Sequence, residues 1–392
     1  MKIQLFVAAI FSRIPQMKGH HWWLSIVTWM ILLAPAQASV ILRVAIERNV
    51  EQVRVGSSTT AIVKDGSGKT LGQLPKMKAY YAQPASGGGV ALDRWRSGLF
   101  WIEPQGKGFV YIGDKWYRGR TLVLPTQKGL TAVNWVDLEE YLYSVIGGEM
   151  NPSWHLEALK AQAIAARTYA LYKRQRQRKN PIYDVGDTPD RWQIYEGVKK
   201  ETPSIYAAVD GTKDQVLTYN NQPILSVFHA CSGGHTENVE DVWGNPLPYL
   251  RAVPGFDGNV NGSYARKCIW QKTFSPDQIS TKFPSIGKVE EMKIEQRSPH
   301  QSVTALKIIG NKGTKTLKGE QVRTALRLNS TRFNVNQTSD GKFVLDGRGW
   351  GHGLGMSQVG AFNLASQKVD HLRILGHYYG QKVFLTKIKL KK

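Results

Sequence analysis

A single acidic residue, Glu149, stands directly before a long alanine-rich stretch of the sequence. It follows two glycines in VIGGEMNPSWHLEALKAQAIAARTYAL, so we expect its backbone to lie outside a helix, just ahead of a helix start. A carboxyl group shielded from water has a raised pKa and can act as a general acid at neutral pH. The neighbours that could shield it are Met150, Trp154, Tyr141 and Tyr143. A carboxylate that only compensates a helix dipole explains the same pattern, and the local sequence leaves both interpretations open.

A second candidate stretch, DGRGWGHGLGMSQVGA, has glycine at every other position from Gly347 to Gly355. In an extended segment this spacing leaves bare backbone on one face, where a ligand can approach closely. The side chains that would share the other face are Arg348, Trp350, His352 and Leu354. Trp350 can stack on a sugar ring, while His352 and Gln358 can form hydrogen bonds with sugar hydroxyl groups. A tight structural hairpin with a satisfied core histidine is the alternative interpretation.

The loop sequence FHACSGGHTE contains residue types that bind metals or form disulfides. His229, Cys231 and His235 are ligands that zinc accepts, but their spacing matches no standard zinc pattern. The chain has 2 cysteines, Cys231 and Cys268, and an even count favours a disulfide in a compartment that permits one. We therefore predict this disulfide, with zinc and two unpaired thiols as the alternatives. Ser232 lies beside the histidines, but no G-x-S-x-G motif surrounds it, which argues against a serine hydrolase.

The elements that must position these residues are mostly strands. From Val40 to about Trp135, short β-branched and aromatic runs alternate with turn residues, which is typical of antiparallel strands. Strands return from about Lys288 to Val335. Between the two regions, the segment from Asp137 to Ile146 has acidic residues in its first turn and predicts a short helix.

One prominent helix is predicted after this segment. Asn151 can cap a helix, and Pro152 suits the first helical position. Leucines and alanines then recur at three- and four-residue spacing, which predicts a buried helix over about residues 152–175. The predicted fold class is therefore α+β, a strand-rich mixed fold with one prominent buried helix.

The N-terminus resembles a secretory signal. Lys18 supplies a positive charge, an apolar run extends from Trp22 to Ala34, and Ala36 and Ala38 suit a cleavage site. The apolar run is shorter than the ~20 residues of a membrane-spanning helix, which favours cleavage over an uncleaved anchor. We therefore expect residues 1–38 to be removed as a signal peptide. The mature chain is then exported, to the periplasm or the cell wall, without a transmembrane span.

The charge of the chain favours an acidic partner. Lys and Arg number 52 against 30 Asp and Glu, a formal net charge of +22. Nucleic acid is one candidate partner, but the export signal argues against it. An exported protein more often meets anionic lipid head groups or acidic cell-wall polymers. Basic clusters such as KRQRQRK, from Lys173 to Lys179, equally suit solvated faces.

Three stretches together resemble the SpoIID/LytB family, which includes sporulation stage II protein D and the amidase enhancer LytB. They are GGEMNPSWHLEALKAQAIAARTYAL, FHACSGGHTENVEDVWGNPLPYLRAV, and GRGWGHGLGMSQVGAFNLA with the later ILGHYYG. They occur in the family's order and span roughly Trp116 to Gly380. The resemblance implies a catalytic domain over residues 116–392, preceded by a β-rich region over residues 39–115 that lies outside the clear motifs.

The resemblance implies peptidoglycan chemistry. SpoIID-like members are lytic transglycosylases that cut glycan strands already stripped of stem peptides, and the family's essential glutamate falls on Glu149. One carboxyl suffices for this reaction, because it first protonates the glycosidic oxygen and then takes the proton of the sugar's 6-hydroxyl as an anhydro ring closes. The expected glycan-binding groove is lined by Arg348, Trp350, His352, Gln358, Ser232 and His235.

The family also implies an alternative function. LytB-type members are described as enhancers of an amidase, so the chain could instead hold glycan or recruit an N-acetylmuramoyl-L-alanine amidase without cutting. One family member binds zinc near the stretch that corresponds to FHACSGGH, but its ligand arrangement is not reproduced here, and we expect no cofactor. Stripped glycan carries free lactyl carboxylates, which suits a strongly basic protein.

Overall fold

The structure is a computed structural model that describes residues 39–189, 191–257 and 268–388. The predicted signal peptide of residues 1–38 lies outside these described residues. Within them, no helix is both long enough and apolar enough to cross a membrane. The described chain from Val40 onward forms one compact unit.

Antiparallel strands fill the N-terminal part, as the alternation of β-branched and turn residues predicts, and a later short strand pairs parallel to the first of them. The strands are β1 (Ile41–Val50), β2 (Val53–Ser57), β3 (Ala61–Lys64), β4 (Thr70–Leu74), β5 (Lys78–Pro84), β6 (Val90–Leu92), β7 (Trp95–Ser97), β8 (Phe100–Pro104), β9 (Val110–Ile112), β10 (Lys115–Tyr117), β11 (Arg120–Thr126), β12 (Gly129–Asp137) and the short β13 (Val185–Gly186). They form a seven-stranded sheet in the order β13-β1-β12-β11-β8-β3-β4 and a six-stranded sheet in the order β10-β9-β2-β5-β6-β7.

The long antiparallel pair of β1 and β12 joins the start of the described chain to the strand that leads into the helices. On β1, Leu42 and Val44 are fully buried and alternate with the more exposed Ile41 and Arg43, as expected of a strand with one face on a core, until the alternation breaks at the fully buried Ala45. These two strands share a sheet although the predicted boundary at residue 115 lies between them. The division into a 39–115 region and a 116–392 domain stays a prediction.

Two helices follow β12, α1 (Leu138–Glu149) and α2 (Leu156–Arg176). Glu149 is the last residue of α1, so the prediction that it lies outside a helix is wrong. The two glycines before it lie inside the helix. Their lack of a side chain allows other segments of the chain to approach closely. A Cβ at Gly147 would lie 2.0 Å from the carbonyl oxygen of Lys200, and one at Gly148 would lie 2.9 Å from Cγ2 of Ile194.

The helix α2 begins at Leu156, later than the predicted start at residue 152. The side chain of Asn151 caps a turn instead of the helix, since its Oδ1 accepts hydrogen bonds from the N–H and the hydroxyl of Ser153, each at 2.9 Å. His155 is the residue that caps α2. The alanines of α2 are fully buried, so this is the buried helix of an α+β fold, and the predicted class is confirmed.

Shorter elements complete the described chain. The further helices are α3 (Pro203–Asp210), α4 (Val239–Val242), α5 (Pro276–Ser280), α6 (Gly319–Ala325), α7 (Gln358–Ser366) and α8 (His371–Tyr379), with 3-10 turns at Gly197–Lys200 and Pro284–Ile286. The further strands are β14 (Gln215–Tyr219), β15 (Gln222–Pro223), β16 (Phe228–His229), β17 (Ile269–Phe274), β18 (Val289–Arg297), β19 (Val303–Gly310), β20 (Gly313–Lys318), β21 (Phe333–Gln337), β22 (Phe343–Arg348), β23 (Met356–Ser357) and β24 (Phe384–Lys387). They form small sheets in the orders β15-β14-β24, β16-β23, β17-β22-β21 and β18-β19-β20.

The apolar side chains of the described residues form two main cores. The larger core contains Val44 of β1, Tyr141 of α1 and Ala166 of α2. The smaller core lies in the later strands and contains Leu306 of β19 and Leu345 of β22. The candidate catalytic residue therefore belongs to the elements of the larger core.

Candidate active site

The Glu149 carboxyl lies where separate segments of the chain meet. Its Oε1 accepts a hydrogen bond from the backbone N–H of Ile194 at 2.9 Å. Burial raises the pKa of Tyr141 on α1 and of Tyr169 on α2, and the nearby Glu149 carboxylate adds to both shifts. Gln358, the first residue of α7, also lies close enough to change the pKa of this carboxyl. Two helices, a loop and the start of α7 thus surround one acid.

Burial raises the pKa of Glu149 from an ordinary value of 4.5 to about 7. The hydrogen bond from the Ile194 N–H and the nearby side-chain amide of Gln358 both lower the same pKa, but they do not cancel the effect of burial. Because Glu149 ends α1, it is not at a helix N-terminus, where the dipole would favour the charged form. A carboxyl with a pKa near 7 occurs in both protonation states at neutral pH, as a general acid and base requires.

The sequence predicts that four apolar or aromatic neighbours shield Glu149, but some of them pack against other elements. Met150 is buried. Trp154 packs against Phe362 of α7, with ring centroids 5.0 Å apart. The hydroxyl of Tyr143 donates to Asp210 of α3 at 2.6 Å, so this ring interacts with another helix instead of with Glu149.

Buried glutamines lie on the elements around the acid. Nε2 of Gln358 and both polar atoms of the Gln162 side chain are buried without a hydrogen-bond partner among the described residues. Gln162 lies one turn before Ala166 on the same face of α2. Buried amide groups normally have partners, so the Gln358 amide, which acts on the pKa of Glu149, is a candidate to bind the ionised carboxylate. Gln162 was not predicted from the sequence, and no described contact joins it to Glu149.

The loop of residues 231–235 is held against the start of α7 by the buried carboxylate of Asp257. This carboxylate accepts hydrogen bonds from the hydroxyls of Ser232 and Ser357, at 2.7 and 3.2 Å, and from the backbone N–H of Ser232. The N–H groups of Gly233 and Gly234 donate to it at 3.2 and 2.9 Å. Ser232 is thus buried and fixes the loop, and its contact with substrate stays a prediction.

The alternating-glycine segment is not an extended strand, so the prediction that its side chains share one face is wrong. β22 ends at Arg348, and the glycines that follow have φ values of 89°, 112°, 76° and 66° at positions 349, 351, 353 and 355. These left-handed values turn the chain repeatedly. The side chains consequently separate: Leu354 is fully buried, whereas Trp350 is 42% exposed.

His352 is a packed histidine, as the alternative interpretation of this segment proposed. Burial lowers the pKa of His352 well below its usual value and lowers that of His229 to about 4, so both rings are neutral at neutral pH. Their ring centroids lie 5.6 Å apart. Nδ1 of His352 accepts the N–H of Leu354 at 3.0 Å, and Nδ1 of His229 bonds to the Leu354 carbonyl at 3.0 Å.

Cys231 and Cys268 form a disulfide, with their Cα atoms 6.0 Å apart. The sulfur of Cys231 is therefore not a free thiolate that zinc could use. The ring of His235 stacks on His300 with centroids 4.1 Å apart, and His229 bonds to the backbone as described above. Among the described residues, no group of three or more His, Cys, Asp or Glu side chains could hold a metal. The residues present in this loop do not fit the zinc alternative.

The predicted substrate-binding residues are therefore distributed over different environments. Gln358 lies at Glu149, whereas Ser232 and His352 are held in local contacts. Arg348 and His235 line a separate cleft, and neither Glu149 nor Gln358 is among the residues that line it. The structure thus brings one of the predicted binding residues to the candidate acid.

Comparisons with known proteins match two parts of the chain to family models. A model described as stage II sporulation protein matches residues 126–219, which include Glu149. A model described as a domain of unknown function matches residues 259–355, which include most of the smaller core and the alternating-glycine segment.

Curated relatives resemble a larger part of the chain. It is 33% identical over 279 residues to an uncharacterized protein of Brachyspira hyodysenteriae, and the aligned residues cover 69% of this chain and 73% of that protein. It is 34% identical over 278 residues to the stage II sporulation protein D of Bacillus subtilis, covering 66% and 78% respectively. It is 29% identical over 295 residues to the amidase enhancer of Bacillus subtilis, covering 61% of this chain and 39% of that protein.

Proposed function

The chain belongs to the SpoIID family, and we propose that it is a lytic transglycosylase that cleaves peptide-stripped glycan strands of peptidoglycan to 1,6-anhydro products. The observation that carries this proposal is the Glu149 carboxyl, whose pKa burial raises to about 7. The protein acts in the periplasm or at the cell wall, where its excess of positive charge favours an anionic polymer.

The reaction needs one group that both donates and accepts a proton. Protonated Glu149 donates its proton to the glycosidic oxygen as the bond from that oxygen to the anomeric carbon breaks. The oxygen of the same sugar's 6-hydroxyl then bonds to the anomeric carbon, and the Glu149 carboxylate takes the hydroxyl proton. Glu149 is protonated again at the end, and no water is consumed. A pKa near neutrality suits both halves of this cycle.

The neighbours of Glu149 have separate tasks in this mechanism. The Ile194 N–H holds Oε1 and so fixes the orientation of the carboxyl. Nε2 of Gln358 is a buried donor that can bind a sugar oxygen or the ionised carboxylate. Glycan contacts by Trp350, His352 and Ser232 in a groove at Glu149 are proposed as well, whereas Arg348 and His235 line a separate cleft.

A second candidate function is favoured by the relative named amidase enhancer. In this alternative the protein binds glycan or recruits an N-acetylmuramoyl-L-alanine amidase and does not cut. The chain spans 39% of that relative's length. An amidase partner is therefore proposed only as part of this non-catalytic function.

The test is incubation of the purified protein with peptide-free glycan strands, followed by mass spectrometry of the products. We expect anhydro-ended fragments, lighter by one water than hydrolysis products. Glu149→Gln should lower the rate by about 10²- to 10⁴-fold while the variant still co-sediments with glycan. The matched control is Glu140→Gln, a glutamate of the same helix that pairs with Arg118 at 3.7 Å, and it should keep its activity.

Two outcomes would count against the enzyme. If Glu149→Gln releases fragments as fast as the wild type, the assignment of the acid is wrong. If the wild type releases none but increases the activity of an added amidase, and Glu149→Gln does so equally, the non-catalytic function replaces the enzymatic one.

A further inference from the structure

A cleft of about 880 Å³ lies between the loop at residues 233–235 and the sheet β17-β22-β21. Apart from that loop, all residues that line it belong to the segment matched by the domain of unknown function. Its size is within the range of sites for small organic ligands and far above that of a single ion. The charged side chains that line it are Arg297, Arg332, Arg348 and Asp346.

The positive charge in this cleft is only partly balanced. Arg332 pairs with Glu237 at 2.8 Å. The guanidinium of Arg297 instead donates to neutral oxygens, the carbonyls of Gln301 and Phe333 at 2.9 and 3.0 Å and Oδ1 of Asn334 at 2.7 Å. Burial lowers the pKa of Arg297, which is the effect of a partly buried cation without an anionic partner.

The single acid that lines the cleft, Asp346, offsets one of the three arginine charges but forms an ion pair with none of these arginines among the described residues. The carboxylate of Asp346 accepts hydrogen bonds from the side-chain amides of Gln271 and Asn336, at 2.7 and 3.3 Å. Arg348 lies at the end of β22 with an exposed side chain. Arg297 and Arg348 both line the cleft and form no ion pair among the described residues, so an anion that enters it finds two guanidinium groups without an anionic partner.

The remaining walls suit a sugar more than a bare anion. The rings of His235 and His300 stack on each other, parallel within 1° and with centroids 4.1 Å apart, and both residues line the cleft. Burial lowers the pKa of His300, which disfavours a positive charge on this ring. The side chain of Ile269, which also lines the cleft, is 66% exposed. Flat and apolar groups together with amides such as Gln271 bind sugar rings and their hydroxyls.

We propose that this cleft is a second glycan-binding site, which holds a carboxylate-bearing sugar by Arg348 and Arg297 while Glu149 acts elsewhere on the strand. The identity of the sugar rests on the proposed function, because a stripped glycan strand carries a free lactyl carboxylate on every muramic acid. The loop of residues 231–235 connects the two sites, since Asp257 ties it to the start of α7.

The test compares two sugars that differ in the lactyl group. Isothermal titration of the purified full chain with N-acetylmuramic acid should give a Kd at least about tenfold lower than with N-acetylglucosamine, as expected for one charge-assisted contact. Arg348→Gln should remove this difference, whereas Arg348→Lys should keep part of it. The matched control Arg373→Gln removes an equally positive, exposed side chain on α8 and should leave the Kd unchanged.

The outcomes separate this site from the catalytic proposal. Glu149→Gln should bind N-acetylmuramic acid like the wild type, even if it releases no glycan fragments. Equal affinities for the two sugars, or an Arg348→Gln variant that binds like the wild type, would overturn the proposed site. Tighter binding of glycerol phosphate than of N-acetylmuramic acid would also overturn it, because the cleft would then recognise phosphate. A wild type without turnover but with the expected sugar preference would leave the site established and remove only the enzyme.

Discussion

At Glu149, burial and hydrogen bonding act on the pKa in opposite directions. Burial disfavours the charged carboxylate, the N–H of Ile194 stabilises it, and the resulting pKa is about 7. Since one pKa unit corresponds to about 1.4 kcal/mol, the ionised carboxylate destabilises the folded protein by on the order of 3 kcal/mol. The folded protein therefore binds this proton more tightly than the unfolded chain does.

This difference predicts how the stability of Glu149→Gln depends on pH. Below the unfolded-state pKa of 4.5, the carboxyl is neutral in both states and does not destabilise the fold. As the pH rises through about 7, the carboxyl ionises in the folded protein, and the stability that the neutral carboxyl preserved below pH 4.5 is lost. Between pH 5 and pH 8.5, urea denaturation should show the variant gaining roughly 2 kcal/mol relative to the wild type. The exposed Glu51→Gln is the control, and a pH-independent effect of Glu149→Gln would contradict the burial of this carboxyl.

The residue scale also shows what the sequence can and cannot predict about the site. Glu149 is recognisable from its motif, and Gln358 from the alternating-glycine segment. Their proximity is not recognisable, because it depends on α7 packing against α2. Ile194 acts through its backbone N–H, so its side-chain type carries no signal of the contact that it makes with the acid.

At the scale of elements, a buried ion pair joins the helix that carries Glu149 to its neighbour. Arg167 of α2 is fully buried and donates to both carboxylate oxygens of Glu139 on α1, at 2.8 and 2.6 Å. Its other N–H groups bond to the carbonyls of Val209 and Gln215, each at 3.2 Å. The pair therefore sets how α1 lies against α2.

We expect Arg167→Met to destabilise the protein by about 3–5 kcal/mol, because it leaves the Glu139 carboxylate buried without its cation. The double variant Arg167→Met/Glu139→Leu should recover part of this loss, since no unpaired charge remains. Chemical denaturation measures both. The exposed pair of Arg373 and Asp370 is the comparison, and its removal should cost at most about 1 kcal/mol. Equal losses in the single and double variants would show that packing, not charge, accounts for the effect.

Element types were predictable from local patterns, whereas several element limits were not. The alternation on β1 and the alanine spacing on α2 are local, so they predict a strand and a helix correctly. The carbonyl of Lys200 leaves no space for a side chain at position 147, and Ile194 leaves too little at position 148, so both positions of α1 require glycine. The glycine at 355 similarly faces the carbonyl oxygen of Val227, 2.1 Å from where a Cβ would lie. Such requirements come from residues distant in the sequence, and a local pattern does not contain them.

At the scale of the whole molecule, the disulfide lies between the two main cores. Cys231 belongs to the loop at the start of α7, and Cys268 immediately precedes β17 of the smaller core's sheet. Both sulfurs pack with Val359 and Trp154 in a small apolar cluster of their own. The count of two cysteines predicts a bond, but its place between the cores depends on strand pairing that spans long stretches of the chain.

We expect Cys231→Ser/Cys268→Ser to lower the free energy of unfolding by about 3–4 kcal/mol, because the bond closes a loop with a sequence separation of 37 residues. A reductant should destabilise the wild type by a similar amount in urea denaturation and leave the double variant unchanged. The same cluster contains Val359, next to Gln358. Loss of the disulfide should therefore also loosen the packing around the active site. Near neutral pH, Glu149 should then be less well shielded, and its pKa should fall toward 4.5. A reduced protein that keeps both its stability and this raised pKa would show that packing around Asp257 and α7 positions the site without the bond.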